Sequence, residues 1–217
     1  MKVQPREAKK RSVAYRCHEC ADTVWGLVGN FTRNAGLIRL KCSCDKPTAM
    51  DISAAEGKIK LSVPCLFCKQ NHTYTVSESA FLERELLTLS CPYTGLDILF
   101  VGSDDAIDGE LRRTADEITR LMASLEAEEI SDIQPKEMTE EEILPDPAVY
   151  DTLRFIVKDL EADGQVICPC GEGPYDLRFA DGGIEVYCEK CGASYLFRAT
   201  TPTMAEEYLS LDKVELK

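Results

Sequence analysis

Hydrophobic and polar positions alternate with a period of two in several short stretches of the chain and follow helical spacing in longer ones. The alternating stretches include residues 23–31, 37–41 and 72–76, which we interpret as strands with one buried face. We expect the first two to form a hairpin around residues 32–36. Residues 105–130 instead carry a helical stripe formed by Ile107, Leu111, Ile118, Leu121 and Leu125. The pattern predicts an α+β chain in which small antiparallel modules are joined by helices.

Capping signals predict three more helices. Ser77 can cap a helix over residues 77–87, and Pro147 after Asp146 begins an amphipathic helix that ends at Gly164. Thr203 and Glu206 form a capping box for a closing helix. The stripe in residues 105–130 favours a helix that packs on its own chain, and a dimeric coiled coil is the alternative.

Cysteines supply the clearest chemical signal. Ten of the eleven lie in Cys-x-Cys or Cys-x-x-Cys turns, and no secretory segment is apparent, so zinc is favoured over disulfides. A Cys-x-Cys turn, a hairpin and a Cys-x-x-Cys turn follow one another twice, which predicts two zinc ribbons. The first ribbon uses Cys42, Cys44, Cys65 and Cys68, and the second uses Cys168, Cys170, Cys188 and Cys191.

The remaining donors predict a third zinc ion in the chain. In the favoured pairing, Cys17, Cys20 and Cys91 share a metal with one histidine, and His72 is preferred to His18 because His18 lies inside the first turn. A second pairing stays open. It joins Cys17 and Cys20 to Cys42 and Cys44, and it leaves a site made of Cys65, Cys68, His72 and Cys91.

Charge is unevenly distributed along the 217 residues, which carry a formal net charge of −13. Residues 1–16 are basic and predict a flexible arm, whereas residues 103–147 are strongly acidic and predict a helical linker. Between and after them we expect an N-terminal zinc-binding domain with two metal sites over residues 17–102 and a C-terminal helix plus zinc ribbon over residues 148–217. The acidic total disfavours a general polyanion-binding surface.

The motifs favour a non-enzymatic zinc-binding adaptor or regulatory protein that acts through protein-protein contacts. The sequence contains no His-Glu-x-x-His and no phosphate-binding glycine-rich loop, so we expect no enzyme activity. One alternative is a nucleic-acid-binding protein that uses the basic N-terminal arm together with strand aromatics, and a second is a zinc-dependent enzyme. We expect a cytoplasmic chain with no membrane segment, because its apolar runs are short.

Three phrases in residues 15–102 carry a family resemblance: YRCHEC, LSVPCLFCKQNHTYTVS and LSCPYTGLDILFVG. They resemble those of a family of uncharacterised bacterial proteins with a cysteine-rich zinc-ribbon module. The resemblance implies that the donors between Cys17 and Cys91 belong to one module, and it implies no activity. The C-terminal ribbon is similar to zinc ribbons in general, which occur in transcription, translation and adaptor proteins.

Overall fold

A computed structural model describes residues 11–28, 36–125, 146–171 and 173–217. The chain is α+β, as the hydrophobic pattern predicts, with small antiparallel sheets and helices between them. It divides into two compact units, one comprising Met1–His72 and Ser77–Glu137 and the other Thr73–Val76 and Met138–Lys217. Within the described ranges, no helix is long and apolar enough to cross a membrane.

The first unit is built on two four-stranded sheets. Sheet A has the strand order β2-β1-β8-β7 and sheet B the order β3-β4-β5-β6. The strands are β1 (Arg11–Arg16), β2 (Thr23–Val28), β3 (Ile38–Lys41), β4 (Ala49–Ala55), β5 (Lys58–Pro64), β6 (Asn71–Ser77), β7 (Leu86–Ser90) and β8 (Asp97–Gly102). The central four residues of β6 group with the second unit.

The eight strands form two consecutive repeats of four. β2 begins at Thr23 and β6 at Asn71, and the same interval of 48 residues separates the starts of β3 and β7 and those of β4 and β8. If each strand is replaced by its counterpart in the other repeat (β1 by β5, β2 by β6, and so on), the strand order of sheet A becomes that of sheet B, read from the opposite edge. The first unit is therefore a tandem structural repeat in which each half contributes two strands to each sheet.

One small difference in spacing separates the two repeats. The N–H of Cys42 donates to the carbonyl of Thr48, and the N–H of Cys91 donates to the carbonyl of Leu96, so the second turn is one residue shorter. β7 carries a register shift at Leu89 and Ser90 directly before that turn. A bulge inserts one residue into a strand, so it compensates for the shorter turn and keeps β8 in step with β4.

A long helix, α2 (Asp104–Ser124), packs against β1 and β8 on one face of sheet A. Its N-cap Ser103 accepts a hydrogen bond from the N–H of Ala106 at 3.3 Å. Ile107, Leu111 and Ile118 are buried as the helical stripe predicts, whereas Leu125 is 58% exposed. The stripe thus serves the intrachain packing favoured by the sequence; the dimeric alternative for residues 105–130 stays a prediction.

The predicted basic arm is wrong for residues 11–16, because β1 is a central strand of sheet A and five of its six residues are buried. Arg11 is 4% exposed, and its guanidinium donates to the carbonyl of Val101 at 3.1 Å. Residues 1–10, which hold the rest of the arm, lie outside the described residues.

The predicted hairpin over residues 23–41 is also wrong in its pairing. β2 pairs with β1 in sheet A, whereas β3 pairs with β4 in sheet B. Each segment finds a strand partner across a cysteine-containing turn, so alternation identified the strands but not their neighbours. The predicted helix at 77–87 is shorter, α1 (Glu78–Glu83), and is capped by Ser77 as expected.

The second unit begins with α3 (Pro147–Ala162), which is capped by Asp146 and is followed by Gly164 in the left-handed region, as predicted. Most of α3 is buried. Residues Thr73–Val76 of β6 belong to this unit because they contact α3: the N–H of Thr75 donates to Thr152 Oγ1 at 3.3 Å. The other elements are β9 (Val166–Ile167), β10 (Tyr175–Ala180), β11 (Gly183–Cys188), β12 (Ser194–Phe197), α4 (Pro202–Glu207), a 3-10 turn (Tyr208–Ser210) and β13 (Val214–Glu215).

The ribbon of the second unit has the sheet order β10-β11-β12, and its first hairpin turns at residues 181–182. A Cβ at Gly183 would lie 1.9 Å from the carbonyl oxygen of Phe197, so only glycine fits beside β12. The closing helix begins earlier than predicted: Thr201, rather than Thr203, accepts the capping bond from the N–H of Met204.

Gly26 in β2 provides a test of how closely the two sheets of the first unit approach. A Cβ at Gly26 would lie 2.5 Å from a methyl group of Leu40 in β3. We expect Gly26→Val to lower the free energy of unfolding by about 1–3 kcal/mol, because added methyls overpack a close contact. Urea unfolding measures this change.

Gly109→Ala is the matched control, because Gly109 lies inside α2 with no atom within 4 Å of an added Cβ. Replacing an open helical glycine by alanine should raise stability by roughly 0.5–1 kcal/mol. If Gly26→Val were as stable as the wild-type chain, the packing of the Leu40 side chain over Gly26 would be contradicted.

Candidate metal centres

Three groups of cysteine and histidine side chains have their ligand atoms within 4.8 Å of one another. Cluster 1 comprises Cys17, Cys20, Cys42 and Cys44; cluster 2 comprises Cys65, Cys68, His72 and Cys91; cluster 3 comprises Cys168, Cys170, Cys188 and Cys191. All eleven cysteines are free thiols in the structure. Together the clusters bring in every candidate ligand named from the sequence except His18.

The favoured pairing within the first unit is wrong, and the second pairing is the one observed. Cys17 and Cys20 lie in the β1–β2 turn and meet the Cys42-x-Cys44 turn between β3 and β4. Cys65 and Cys68 lie in the β5–β6 turn and meet Cys91 in the β7–β8 turn. Each cluster thus combines one turn of sheet A with one turn of sheet B, an arrangement that depends on which strands pair.

Tyr15 explains why the first two turns meet. This buried residue of β1 lies two positions before Cys17, and its hydroxyl is 3.1 Å from the carbonyl oxygen of Leu40 and 2.9 Å from that of Thr48. Those carbonyls flank the Cys42 turn. The hydroxyl of Thr48 in turn donates to Cys17 Sγ at 3.2 Å. A single aromatic side chain therefore anchors the end of β1 to the β3–β4 turn.

Four turns in the clusters share one backbone pattern. In each, the leading cysteine donates its N–H to the carbonyl five residues later, and the N–H four residues later donates back to the cysteine carbonyl. These knuckle turns begin at Cys17, Cys65, Cys91 and Cys188. The fifth residue of each has positive φ: Ala21 at 59°, Lys69 at 57°, Gly95 at 71° and Gly192 at 76°.

Alanine and lysine at positive φ are strained. The left-handed conformation costs a non-glycine residue about 1–2 kcal/mol, and such strain persists only where the surroundings fix the backbone. Ala21 and Lys69 occupy it next to Cys20 and Cys68. Convergence of the two sulfurs of each turn on a shared ligand would offset this cost.

The knuckle at Cys91 was missed from the sequence because its second cysteine is replaced by Thr94. The chain reads Cys91-Pro92-Tyr93-Thr94-Gly95, and both knuckle hydrogen bonds are present at 2.8 Å. The signal that would have revealed it is glycine four residues after the cysteine, as in Cys188 to Gly192. His72 supplies the fourth donor of cluster 2, with Nε2 3.1 Å from Cys68 Sγ.

Cluster 2 is the most enclosed of the three. Cys65 and Cys91 have no exposed surface and His72 is 2% exposed. The N–H of Phe67 donates to Cys65 Sγ at 3.3 Å, and the ring of Tyr93 lies 5.9 Å from the imidazole of His72. Buried thiols and an imidazole that gather in this way match the donors preferred by zinc.

Cluster 3 joins the Cys-x-Cys turn after β9 to the knuckle between β11 and β12. Cys168 Sγ lies 3.3 Å from the sulfurs of both Cys170 and Cys191, and Cys170 Sγ lies 3.6 Å from that of Cys188. The sequence predicted this set of four in full. Its prediction succeeded because both turns and the hairpin between them belong to one continuous ribbon.

Distances among the sulfurs of cluster 1 fit a tetrahedral metal. Zinc–sulfur bonds of about 2.3 Å place neighbouring sulfurs about 3.8 Å apart. The sulfurs of Cys17 and Cys44 are 3.9 Å apart and those of Cys20 and Cys42 are 3.6 Å apart. These separations are far longer than a disulfide bond of about 2.05 Å. The sulfurs of cluster 1 are therefore spaced like the ligands of one tetrahedral ion.

Electrostatics within cluster 1 also favour a cation. Burial raises the pKa of Cys17, but hydrogen bonds from Thr48 and from backbone N–H groups outweigh it and lower that pKa to about 5. The N–H of Asp22 lowers the pKa of Cys20, but burial and the neighbouring thiols raise it to about 12. One thiolate thus suppresses ionisation of the next, and a dication removes that penalty.

Clusters 2 and 3 show the same division between neighbouring thiols. Cys68 and Cys91 raise the pKa of Cys65, whereas Cys65 and Cys68 lower that of Cys91. Burial raises the pKa of Cys168 to about 12, and the N–H of Ala193 lowers that of Cys191 to about 7. In each of these clusters one thiol has a lowered pKa and a neighbouring thiol a raised one, so a positive charge among them would favour ionisation of both.

His18, the second histidine considered from the sequence, lies outside all three clusters. Its Nε2 is 3.1 Å from the carboxylate of Glu19, the next residue in the same turn. The preference for His72 as a donor over His18 agrees with this geometry.

Comparisons with protein-family models, with curated proteins and with solved structures found no match for this chain. The resemblance of residues 15–102 to a bacterial family therefore stays a prediction. The coarser part of that prediction holds, because the clusters lie at the turns of small antiparallel sheets in the manner of zinc ribbons.

The Thr94 knuckle predicts a rescue. Thr94 Oγ1 accepts a bond from the N–H of Leu96 at 3.4 Å, so its side chain already points back into the turn as a second knuckle cysteine would. We expect His72→Ala to lose one bound zinc per chain. Thr94→Cys added to His72→Ala should restore it, because the turn then offers a complete Cys-x-x-Cys pair.

Native mass spectrometry counts the zinc ions. The cobalt-substituted chain gives a second readout, since sulfur-to-cobalt charge-transfer absorption grows with the number of thiolate ligands. The rescued variant should absorb more strongly than the wild-type chain. Ser90→Cys added to His72→Ala is the control, because it adds a thiol one residue before Cys91 and should not restore zinc. Rescue by the control would show that the knuckle geometry is irrelevant.

Proposed function

We propose that this chain is a non-enzymatic zinc-binding adaptor or regulatory protein that acts through protein-protein contacts. The supporting observation is that each cluster contains four protein donors, the complete set for tetrahedral zinc. A catalytic zinc keeps a position for water or substrate, whereas a zinc with four protein ligands is structural. Three such ions, one in each cluster, would stabilise the fold.

Exposed apolar side chains at the edge of sheet A provide a surface for a partner. β2 is an edge strand, and its sequence TVWGLV contains no charge and no proline. Trp25 is 42% exposed and Leu27 is 73% exposed. Natural edge strands are usually protected by charges, so an uncharged edge with large apolar residues favours pairing with an extended segment of another protein.

The neighbourhood of that edge adds a recess. Trp25 and Leu27 lie opposite Ala14 and Ser12 of β1, so they face the side of sheet A that carries α2. With Gly26 and Asp104 they line a shallow cavity of about 520 Å³. An extended segment that pairs with β2 would place alternate side chains over this cavity, which is how strand addition obtains specificity.

The apolar stripes of the helices are a weaker basis for partner binding than their sequence pattern indicates. Ile107 and Leu111 of α2 pack against sheet A, and α3 is mostly buried within the second unit. The proposed contact surface is therefore the edge of sheet A rather than the helices. Within the acidic stretch over residues 103–147, which the sequence predicts as a helical linker, residues 104–124 form α2, and residues 126–145 lie outside the described residues.

The nucleic-acid alternative loses part of its basis. Arg11, one of the three basic residues at positions 9–11, is buried, and Arg16 donates to the carbonyl of Leu111 at 3.3 Å. Arg39 of β3 is paired with Asp51 at 2.6 Å. Lys41 and Lys60 stay exposed on sheet B, yet the net charge of −13 opposes broad contact with phosphate.

Affinity capture with surface variants tests the proposal. The zinc-loaded chain should retain a protein partner after nuclease treatment, and Trp25→Ser combined with Leu27→Ser should reduce recovery about tenfold or more, because interface energy concentrates in buried apolar anchors. Leu125→Ser is the control, since Leu125 is also exposed, at 58%, but lies at the end of α2.

Two results would contradict the proposal. Recovery of RNA or DNA that falls steeply with salt would favour the nucleic-acid alternative, because phosphate contacts release counterions. Equal loss of the partner in the Leu125 control would show that the edge of sheet A is not the binding surface.

A further inference from the structure

The three clusters differ in how far solvent reaches their sulfurs. Among the eleven cysteines, Cys191 of cluster 3 is the exposed one, and the other ten are buried or half-buried. In cluster 2, by contrast, Cys65 and Cys91 have no exposed surface. A small oxidant in solution therefore has the most direct access to Cys191.

The knuckle around Cys191 is open on several sides. Glu189, Lys190 and Gly192 are exposed as well, so the tip of the turn protrudes into solvent. The sulfur of Cys168, in the Cys-x-Cys turn after β9, lies 3.3 Å from that of Cys191. An exposed thiolate beside a second thiolate is the arrangement in which sulfur oxidation continues to a disulfide.

We propose that cluster 3 is a peroxide-sensitive metal site whose ion is released when Cys191 and Cys168 form a disulfide. The proposal rests on the zinc-binding function proposed above and adds a regulated site to it. The oxidant is hydrogen peroxide.

The chemistry proceeds in two steps. The Cys191 thiolate attacks the peroxide, so a sulfur–oxygen bond forms, the oxygen–oxygen bond breaks and hydroxide leaves. The Cys168 thiolate then attacks the Cys191 sulfenic acid, which forms the disulfide and releases a second hydroxide. The two cysteines lose two electrons and the peroxide gains them. The ion is left with Cys170 and Cys188 alone, half of its ligands, and dissociates.

Clusters 1 and 2 keep their ions under the same treatment. Cys20 and Cys44 of cluster 1 and Cys68 of cluster 2 are half-buried, and the remaining cysteines of both clusters are buried. Selective oxidation would thus alter the ribbon of the second unit and leave the first unit folded. The hairpin of β10 and β11 would lose its metal link to the Cys168 turn. The ribbon of the second unit is therefore the part of the chain whose structure would change on oxidation.

Native mass spectrometry of the full zinc-loaded chain during a hydrogen peroxide titration tests the inference. We expect one zinc to leave about tenfold or more faster than the other two, because oxidation of cysteine follows its exposure. Digestion of the alkylated product should show a Cys168–Cys191 disulfide at that stage. Loss of all three ions together, or an earlier disulfide among the cysteines of clusters 1 and 2, would overturn it.

Two measurements separate this inference from the zinc-binding proposal. The zinc count before peroxide tests the earlier proposal: an empty cluster 3 would defeat both. A parallel incubation with a chelator and no peroxide controls for weak binding. If the chelator removed the same ion equally fast, exposure alone would explain its loss and the redox inference would be wrong. Slow loss to chelator with fast loss to peroxide supports it.

Discussion

Convergence of four donor side chains from turns of two different sheets is the constraint on which the first unit depends. Each of clusters 1 and 2 takes one turn from sheet A and one from sheet B, so the two sheets are linked at two places. A zinc ion held by such a cluster would add a large free energy, since structural zinc in small domains contributes on the order of 10–16 kcal/mol at neutral pH. The contact of Tyr15 with the Cys42 turn brings the donors of cluster 1 together. Ala21 keeps its strained positive φ because its turn is fixed on both sides.

The tandem repeat explains why two such links exist and why they differ. The first half ends in a Cys-x-Cys turn, and the corresponding turn of the second half is a knuckle whose second cysteine position is occupied by Thr94. His72, near the start of β6 in the second half, completes that cluster. Linking the sheets at their turns requires little further core, and Trp25 and Leu27 of the edge strand β2 are exposed.

Much of this architecture could be predicted from local pattern, and the remainder depended on pairing between distant strands. Cluster 3 was identified in full because its turns flank one hairpin, and the caps at Ser77 and Asp146 follow from adjacent residues. The predicted pairing in the first unit was wrong because it was copied from the C-terminal ribbon. In that ribbon the Cys-x-Cys turn comes first and the Cys-x-x-Cys turn second, whereas cluster 1 has them in the opposite order. The correct order requires β1 to pair with β8 across more than eighty residues, which hydrophobic alternation does not encode. Two signals were present: the interval of 48 residues between Cys17 and Cys65, and the glycine that marks the Cys91 knuckle.

Cadmium NMR of the metal-substituted chain tests the central claim most directly, because through-bond couplings identify which cysteines share an ion. The account predicts that Cys17 and Cys42 couple to one cadmium, that Cys65 and Cys91 couple to a second, and that the four cysteines of cluster 3 couple to a third. Coupling of Cys42 and Cys65 to the same ion would contradict it, because the two sheets of the first unit would then not be linked through paired turns.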